Sequence, residues 1–230
     1  MGEGYAYELK YDGTQVRAFK KGSQISLITK RGIDRTSDFP HIARELSQIE
    51  GDVVLVGEIC YFEGGEGGEK SIFPITSAQK PLTELVVFDI VERGGYEARR
   101  GHIERLVAKS QSIRVSKRYS TFEEGWNEVK MGDLEGIVAK PLEAHFQLDL
   151  GVKMKNHTDK DVEIEAFERN TNGTLTLIGA DGTRAVCYDK DSQEIVEAHA
   201  NTFPEHKLYM TIENLTGTRR NPKFKKIEVK

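Results

Sequence analysis

Glu8-Leu9-Lys10-Tyr11-Asp12-Gly13 puts a lysine at the end of an alternating apolar run, with a glycine just beyond it. Residues 5–11 alternate as a half-buried strand does, and Asp12-Gly13 reads as the turn that ends it. A lysine amine attacks phosphorus only when neutral, so a nucleophilic lysine needs burial or nearby positive charge to lower its pKa. A glycine close by lets the backbone approach a phosphate or a ribose. Taken alone, the same six residues also fit an ordinary strand end and turn.

On either side of this stretch the chain reads as short elements. Strands are predicted at 16–20 and 24–29, separated by Lys21-Gly22. Ile42, Leu46 and Ile49 share one helical face, which predicts a helix from Asp38 or Phe39 to Ile49. Residues 52–62 and 85–91 are apolar enough for buried strands. Between them, Glu63-Gly64-Gly65-Glu66-Gly67-Gly68-Glu69 is too rich in glycine for regular structure and is expected to be a mobile loop. Helices are predicted at 96–109 and 121–131, and strands at 134–140 and 152–155.

The polar run Asn156-His157-Thr158-Asp159-Lys160-Asp161 marks a change of texture and is taken as the domain boundary. Beyond it come short β segments at 162–168, 174–178, 184–188 and 209–215, with one helix at 192–201. Asn172-Gly173 and Asp181-Gly182 supply tight turns. The expected fold class is α+β. Residues 1–157 form a domain of antiparallel sheets with helices, and residues 158–230 form a small C-terminal β-barrel of the OB-fold type.

Bulk properties narrow the function. With 37% hydrophobic and 30% charged residues, the chain is a globular protein rather than a disordered one. No apolar stretch approaches the roughly 20 residues that span a bilayer. The N-terminus is neither basic nor followed by an apolar core, so no signal peptide is read and a cytoplasmic location is expected. Cys60 and Cys187 lie in apolar strand-like runs and read as buried, inert thiols. Two cysteines cannot build a four-cysteine zinc site. A net charge of −4 argues against nucleic acid as a partner, but residues 219–230 hold six Lys/Arg against one Glu.

Six segments, in order, resemble the motifs of ATP-dependent DNA ligases within the covalent nucleotidyltransferases. The first is Glu8 to Gly13. Thr29-Lys30-Arg31-Gly32-Ile33-Asp34-Arg35-Thr36, followed by Asp38-Phe39-Pro40, is similar to the segment after it. Val54-Leu55-Val56-Gly57-Glu58-Ile59 is similar to the third motif, and Val86-Val87-Phe88-Asp89-Ile90 to the aromatic one that follows. Leu134-Glu135-Gly136-Ile137-Val138-Ala139-Lys140 resembles the fourth motif closely, and Val152-Lys153-Met154-Lys155 the fifth. The resemblance covers residues 8–155 and implies a nucleotidyltransferase (adenylation) domain.

The resemblance also assigns roles. Lys10 is the nucleophile that attacks the α-phosphate of ATP and carries AMP. Lys153 and Lys155, two apart on one strand, present both ammonium groups to that phosphate and help lower the pKa of Lys10. Glu135 is expected at a divalent metal, Mg²⁺ or Mn²⁺, and Glu58 near the ribose or the metal. Phe88 stacks on adenine, with Val138 or Met154 on the other side. Glu8 stands where these enzymes contact the adenine amino group through backbone or side chain, and Arg31 should meet nucleotide or the 5′-phosphate of a nick.

Two departures bear on the substrate. The first motif usually has Arg two residues after its glycine, and here that residue is Gln15. The nearest arginine, Arg17, is expected to point to the opposite face unless Val16 bulges the strand; both are carried as nucleic-acid contacts. At the C-terminus, Arg219, Arg220, Lys223, Lys225 and Lys226 resemble the start of the last ligase motif without its usual end. They are expected to contact the ATP pyrophosphate or DNA.

The implied protein is a monomer acting on nicked duplex DNA. Because the first motif begins eight residues from the start, a core enzyme without an N-terminal DNA-binding domain is expected. The alternatives are an ATP-dependent RNA ligase, a capping-type guanylyltransferase and a non-enzymatic nucleic-acid-binding module.

Overall fold

The structure is a computed structural model and describes residues 4–65, 67–147, 150–202, 207–215 and 222–229. These divide into two compact units, one ending at Asn156 and the other beginning at His157. No described helix is long and apolar enough to cross a membrane.

The first unit contains β1 (Tyr5–Lys10), β2 (Thr14–Lys21), β3 (Gln24–Thr29), α1 (Pro40–Gln48), β4 (Val53–Phe62), β5 (Ser71–Ile72), β6 (Glu84–Ile90), α2 (Tyr96–Val107), β7 (Ile113–Val115), β8 (Arg118–Tyr119), α3 (Phe122–Met131), β9 (Gly136–Pro141) and β10 (Val152–Lys155). Two sheets result. One runs β10-β9-β1-β8 and is antiparallel throughout. The other runs β3-β2-β4-β6-β7, with β5 hydrogen-bonded to β4.

The second sheet departs from the antiparallel expectation at one pair. Strands β6 and β7 are parallel, because α2 carries the chain back to the same end of the sheet before β7 begins. The two- and three-residue strands β5, β7 and β8 are too short to show an alternation in the sequence.

Alternation along the longer strands sorts side chains to the two faces of each sheet. In the first sheet Tyr7, Leu9, Ile137 and Ala139 face α3 and join a core with Val129 and Leu134. In the second sheet Val16, Ala18, Leu55, Ile59, Leu85 and Val87 face α1 and α2, meeting Ile42, Leu46, Ile103 and Val107. Helix α1 starts on Pro40, whose fixed φ and missing N–H suit a first turn. Helix α3 starts at Thr121, whose side chain accepts from the Glu124 backbone N–H, while Glu124 accepts from that of Ser120 (3.1 and 2.9 Å).

The glycine-rich segment is irregular but pinned rather than loose. Gly67 N–H donates to Glu84 Oε1 (2.8 Å), and Arg114 Nη2 donates to the Gly68 carbonyl (2.6 Å). Arg114 itself lies over the Phe62 ring and pairs with buried Glu84. A loop without side chains at its glycines is held here by its neighbours' charges.

The second unit contains β11 (His157–Arg169), β12 (Leu175–Gly179), β13 (Arg184–Cys187), α4 (Lys190–Thr202), β14 (Leu208–Leu215) and β15 (Lys223–Val229), in the sheet order β13-β12-β11-β14-β15. Most of the polar run that marks the boundary is the start of β11. Its charges find partners on neighbouring strands and turns: Asp159 with Lys225 (2.6 Å), Lys160 with Asp181 (2.6 Å) and Asp161 with Thr211 Oγ1 (2.7 Å). Strand β15 has no alternating signature, because its core-packed residues, Phe224 and Ile227, are three apart. A register shift opposite Thr211 and Ile212 restores both to the core.

Candidate active site

Two rows of residues cross the first sheet. Lys10 on β1 stands opposite Gly136 on β9, and Gly136 stands opposite Lys155 on β10. The next row is Glu8, Val138 and Lys153. Residues in a row, and residues two apart along a strand, share a face. Lys10, Val138, Lys153 and Lys155 are therefore brought to one side of the sheet, away from the Tyr7–Ala139 core. Met154 packs against that core instead, which leaves Val138 as the aliphatic group on the lysine side. Lys10 and Lys155 are two strands apart, roughly 10 Å between Cα atoms. Gly136 has φ +149°, and a Cβ there would lie 2.1 Å from the Met154 carbonyl oxygen. Only glycine keeps β9 and β10 this close between the two lysines.

Lys10 Nζ donates to Glu135 Oε1 at 2.6 Å. Lys10 is 17% exposed at its side chain and Glu135 6%. Burial holds the Glu135 carboxyl above its ordinary value; Lys10 and Lys155 work against this, and Asp12 adds to it. Glu135 Oε2 is buried and has no hydrogen-bond partner among the described residues. Glu58, on β4 opposite Gln15 and Val86, lies in the same quarter: a Cβ on Gly13 would meet Glu58 Cγ at 3.0 Å and the Ile59 carbonyl oxygen at 2.2 Å. Burial raises the thiol of Cys60, and Glu58, Glu135 and Asp12 add to this against Arg114.

A divalent ion fits this corner. A buried carboxylate oxygen without a donor costs about 1–3 kcal/mol unless something fills it. Among the described residues no group of three His, Cys, Asp or Glu side chains could hold an ion. Mg²⁺ does not need such a cage, because it keeps waters and takes phosphate oxygens beside one or two carboxylates. Glu135 could give such an ion one carboxylate, and Glu58, beside Gly13, could give a second.

Glu8 is different. Its Oε1 accepts from Tyr96 Oη (2.6 Å) and Arg100 Nη1 (3.1 Å), and its Oε2 from Ser116 Oγ (2.8 Å) and Lys140 Nζ (2.9 Å). Burial pushes its carboxyl up, but the Lys140 charge with Tyr96 and Arg100 outweighs burial and holds the group below its ordinary value. Lys140 also donates to the Phe88 carbonyl and sits 5.0 Å from the centre of the Phe88 ring. It thereby ties β9 in the first sheet to β6 in the second.

The remaining expected residues are more scattered. Arg31 is exposed in the turn after β3. Strand β2 keeps an unbroken register against β4 from Thr14 to Lys20, so Gln15 and Arg17 lie on the same face. The expectation that Arg17 turns away is corrected: residues two apart on a regular strand cannot point oppositely. Lys223 is exposed, Lys225 pairs with Asp159 and Glu213, and Lys226 pairs with Glu228, so part of the basic tail is neutralised within its own sheet. Arg219 and Arg220 lie outside the described residues.

Sequence reading missed several supporting groups. Asn156 is buried. Its N–H donates to the Glu135 carbonyl (2.8 Å), its amide nitrogen to Leu134 O (3.2 Å), and it accepts from Lys130 (2.6 Å). It links the end of Lys155's strand to the Glu135 turn. Ser71 Oγ accepts from the Asp12 N–H (2.8 Å) and fixes the turn after Lys10. Lys140 ends the segment Leu134-Glu135-Gly136-Ile137-Val138-Ala139-Lys140, and its signal in the sequence is a lysine inside an apolar strand.

A sequence profile described as the ATP dependent DNA ligase domain matches residues 1–158. "DNA ligase 1" of Methanosarcina mazei is 30% identical over 176 residues, covering 64% of this chain and 30% of that protein. The "Bifunctional non-homologous end joining protein LigD" of Bacillus subtilis is 25% identical, covering 97% of this chain and 46% of its own. The chain thus spans between three-tenths and half of these relatives' length. Among solved structures, the ligase domain of M. tuberculosis LigD is similar in fold, with TM-score 0.57 and 19% identity over 99% of this chain and 90% of that one. A structure from a study of Lig E DNA ligases has TM-score 0.63 and 16% identity, covering 98% and 93%.

Proposed function

The chain belongs to the family of ATP-dependent DNA ligase domains, and from that premise we propose that it joins 5′-phosphate and 3′-hydroxyl ends at nicks in duplex DNA, using ATP. The observation that carries the reading is the row Lys10–Gly136–Lys155 beside the Lys10–Glu135 pair. It sets a nucleophile, a second cation and a buried carboxylate at one sheet face.

In the first step Lys10 Nζ bonds to the α-phosphorus of ATP while the bond to pyrophosphate breaks. Lys10 must lose a proton before it attacks. Lys155 and Lys153 offset the charge that develops on the phosphoryl oxygens. Glu135 and Glu58 would hold a divalent ion, which supplies further charge neutralisation at phosphate. Phe88 and Val138 flank the nucleobase. AMP then passes to the 5′-phosphate of the nick, and the 3′-hydroxyl displaces it. Arg31, Gln15, Arg17 and the C-terminal cations are read as contacts to the nucleic-acid backbone.

The second unit is read as an OB-fold. Its support is the five-stranded order with α4 between the third and fourth strands in sequence. The domain division at 157/158 and a cytoplasmic monomer belong to the same proposal.

Incubation with labelled ATP should give a covalent adduct that survives denaturation at neutral or alkaline pH and is released by acid, as a lysine phosphoramidate is; labelled GTP should not give it, and Lys10→Ala should abolish it. An adduct that persists in Lys10→Ala sinks the reading. The labelled protein, offered nicked DNA beside nicked RNA, should transfer AMP to DNA. Preferential transfer to RNA would make Gln15, in place of arginine, the mark of an RNA ligase.

A further inference from the structure

Four donors converge on the carboxylate of Glu8, two on each oxygen. A carboxylate has about four lone-pair sites, so the protein itself uses all of them. Glu8 is 1% exposed and Lys140 6%. Lys140 is the donor whose side chain also reaches Phe88. It gives one hydrogen to Glu8 and one to the Phe88 carbonyl, with its ammonium near the rings of Phe88 and Tyr96. On the other side, β1 carries Glu8 only two residues before Lys10. A change in the Glu8–Lys140 pair therefore moves both the strand of the nucleophile and the aromatic side chain proposed to stack on the base.

We infer that Glu8 and Lys140 form a buried ion pair that sets the width of the nucleobase slot between β1 and β6, and that the Glu8 carboxylate does not read the base. Both are positioning residues. The inference rests on the adenylation reading above and deepens it, because it fixes which groups remain to recognise the purine. With the carboxylate filled, the 6-amino group of adenine must be met by a backbone carbonyl or left to water. Sensitivity to that amino group then has nothing to do with the Glu8 carboxylate.

The test compares ATP with purine riboside triphosphate, which lacks the 6-amino group, in the adenylation of Lys10. Glu8→Gln keeps the shape but leaves the Lys140 charge buried without its partner. It should raise the triphosphate concentration at half-maximal adenylation by about tenfold, and by the same factor for both triphosphates, because the stranded charge disturbs the slot rather than a contact to the base. Lys140→Met should do likewise. The double variant should recover most of the loss, since neither Glu8 nor Lys140 then carries a stranded charge and Arg100 keeps its pair with Glu104. Tyr96→Phe, which removes one neutral donor, provides a milder change with the same ATP-to-analogue ratio.

A Glu8→Gln defect confined to ATP would overturn the inference, because the carboxylate would then be reading the amino group. So would a Lys140→Met protein with unchanged half-saturation, or a double variant no better than the worse single one. If the unaltered protein forms no adduct with either triphosphate, the adenylation reading fails instead. Thermal unfolding of the parent protein, the two single variants and the double variant still measures the pair: additive losses would refute it, and recovery in the double variant would sustain it.

Discussion

Glu8 and Glu135 are both buried carboxylates of the first unit, and the molecule treats them oppositely. Glu8 has four donors, and its carboxyl is held below the ordinary value. Glu135 has Lys10 on one oxygen and no partner among the described residues on the other, and burial holds it above the ordinary value. In the first, burial is offset by charge and hydrogen bonds. The second has an oxygen without a donor among the described residues, which the proposed cation would meet. Burial alone does not single out a candidate functional carboxylate, whereas burial with an orphaned oxygen beside a lysine does.

Substitution should separate the two groups. Glu8→Gln strands the Lys140 ammonium and should cost about 3–5 kcal/mol of stability, read as a lower denaturation midpoint. Glu135→Gln should leave the fold at least as stable at neutral pH, because the neutral form is already the one the fold prefers. The same change should slow adenylation of Lys10 by roughly 100-fold or more, as losses of transition-state charge stabilisation do. If Glu135→Gln unfolds the protein and Glu8→Gln does not, the assignments are reversed.

Their pH dependences should differ too. The folded Glu8 value lies below the unfolded one, so its stabilisation is fully present above an unfolded value of about 4.3. That stabilisation is lost as pH falls through the folded value. The folded Glu135 value lies above the unfolded one, so its ionisation destabilises the fold at neutral pH, and acidification toward about 4.3 relieves this. The gap in melting temperature between the parent protein and Glu8→Gln should therefore close only below about pH 4. Any advantage of Glu135→Gln should begin to shrink earlier in an acid titration, as pH falls through the raised folded value. Gaps that do not change with pH would contradict both assignments.

The smallest effect belongs to Ser116→Ala. It removes one neutral donor of four from Glu8 and should cost roughly 1.5–3 kcal/mol, with Lys10 adenylation unchanged at saturating ATP.

Much of the candidate site was legible because the residues that compose it lie in short segments. Lys10, Glu58, Glu135, Lys153 and Lys155 each sit on or beside a strand that an alternating or continuously apolar run in the sequence predicts. What escaped was made by pairing. The polar run that follows Lys155 reads as a boundary until β14 and β15 supply partners for Asp159 and Asp161. Strand β15 reads as a basic cluster until a register shift turns Phe224 and Ile227 inward together. Asn156 read only as the first residue of that polar run; its role comes from backbone groups of Glu135 and Leu134 that are far from it in sequence.

Strand periods, the lysine and carboxylate inventory and the family are carried by the sequence unaided, because these depend on side-chain type and local spacing. That Glu8 is filled and Glu135 is not follows from folding alone. Satisfaction of a buried carboxylate depends on donors from Tyr96, Arg100, Ser116 and Lys140, which the chain brings together only in three dimensions.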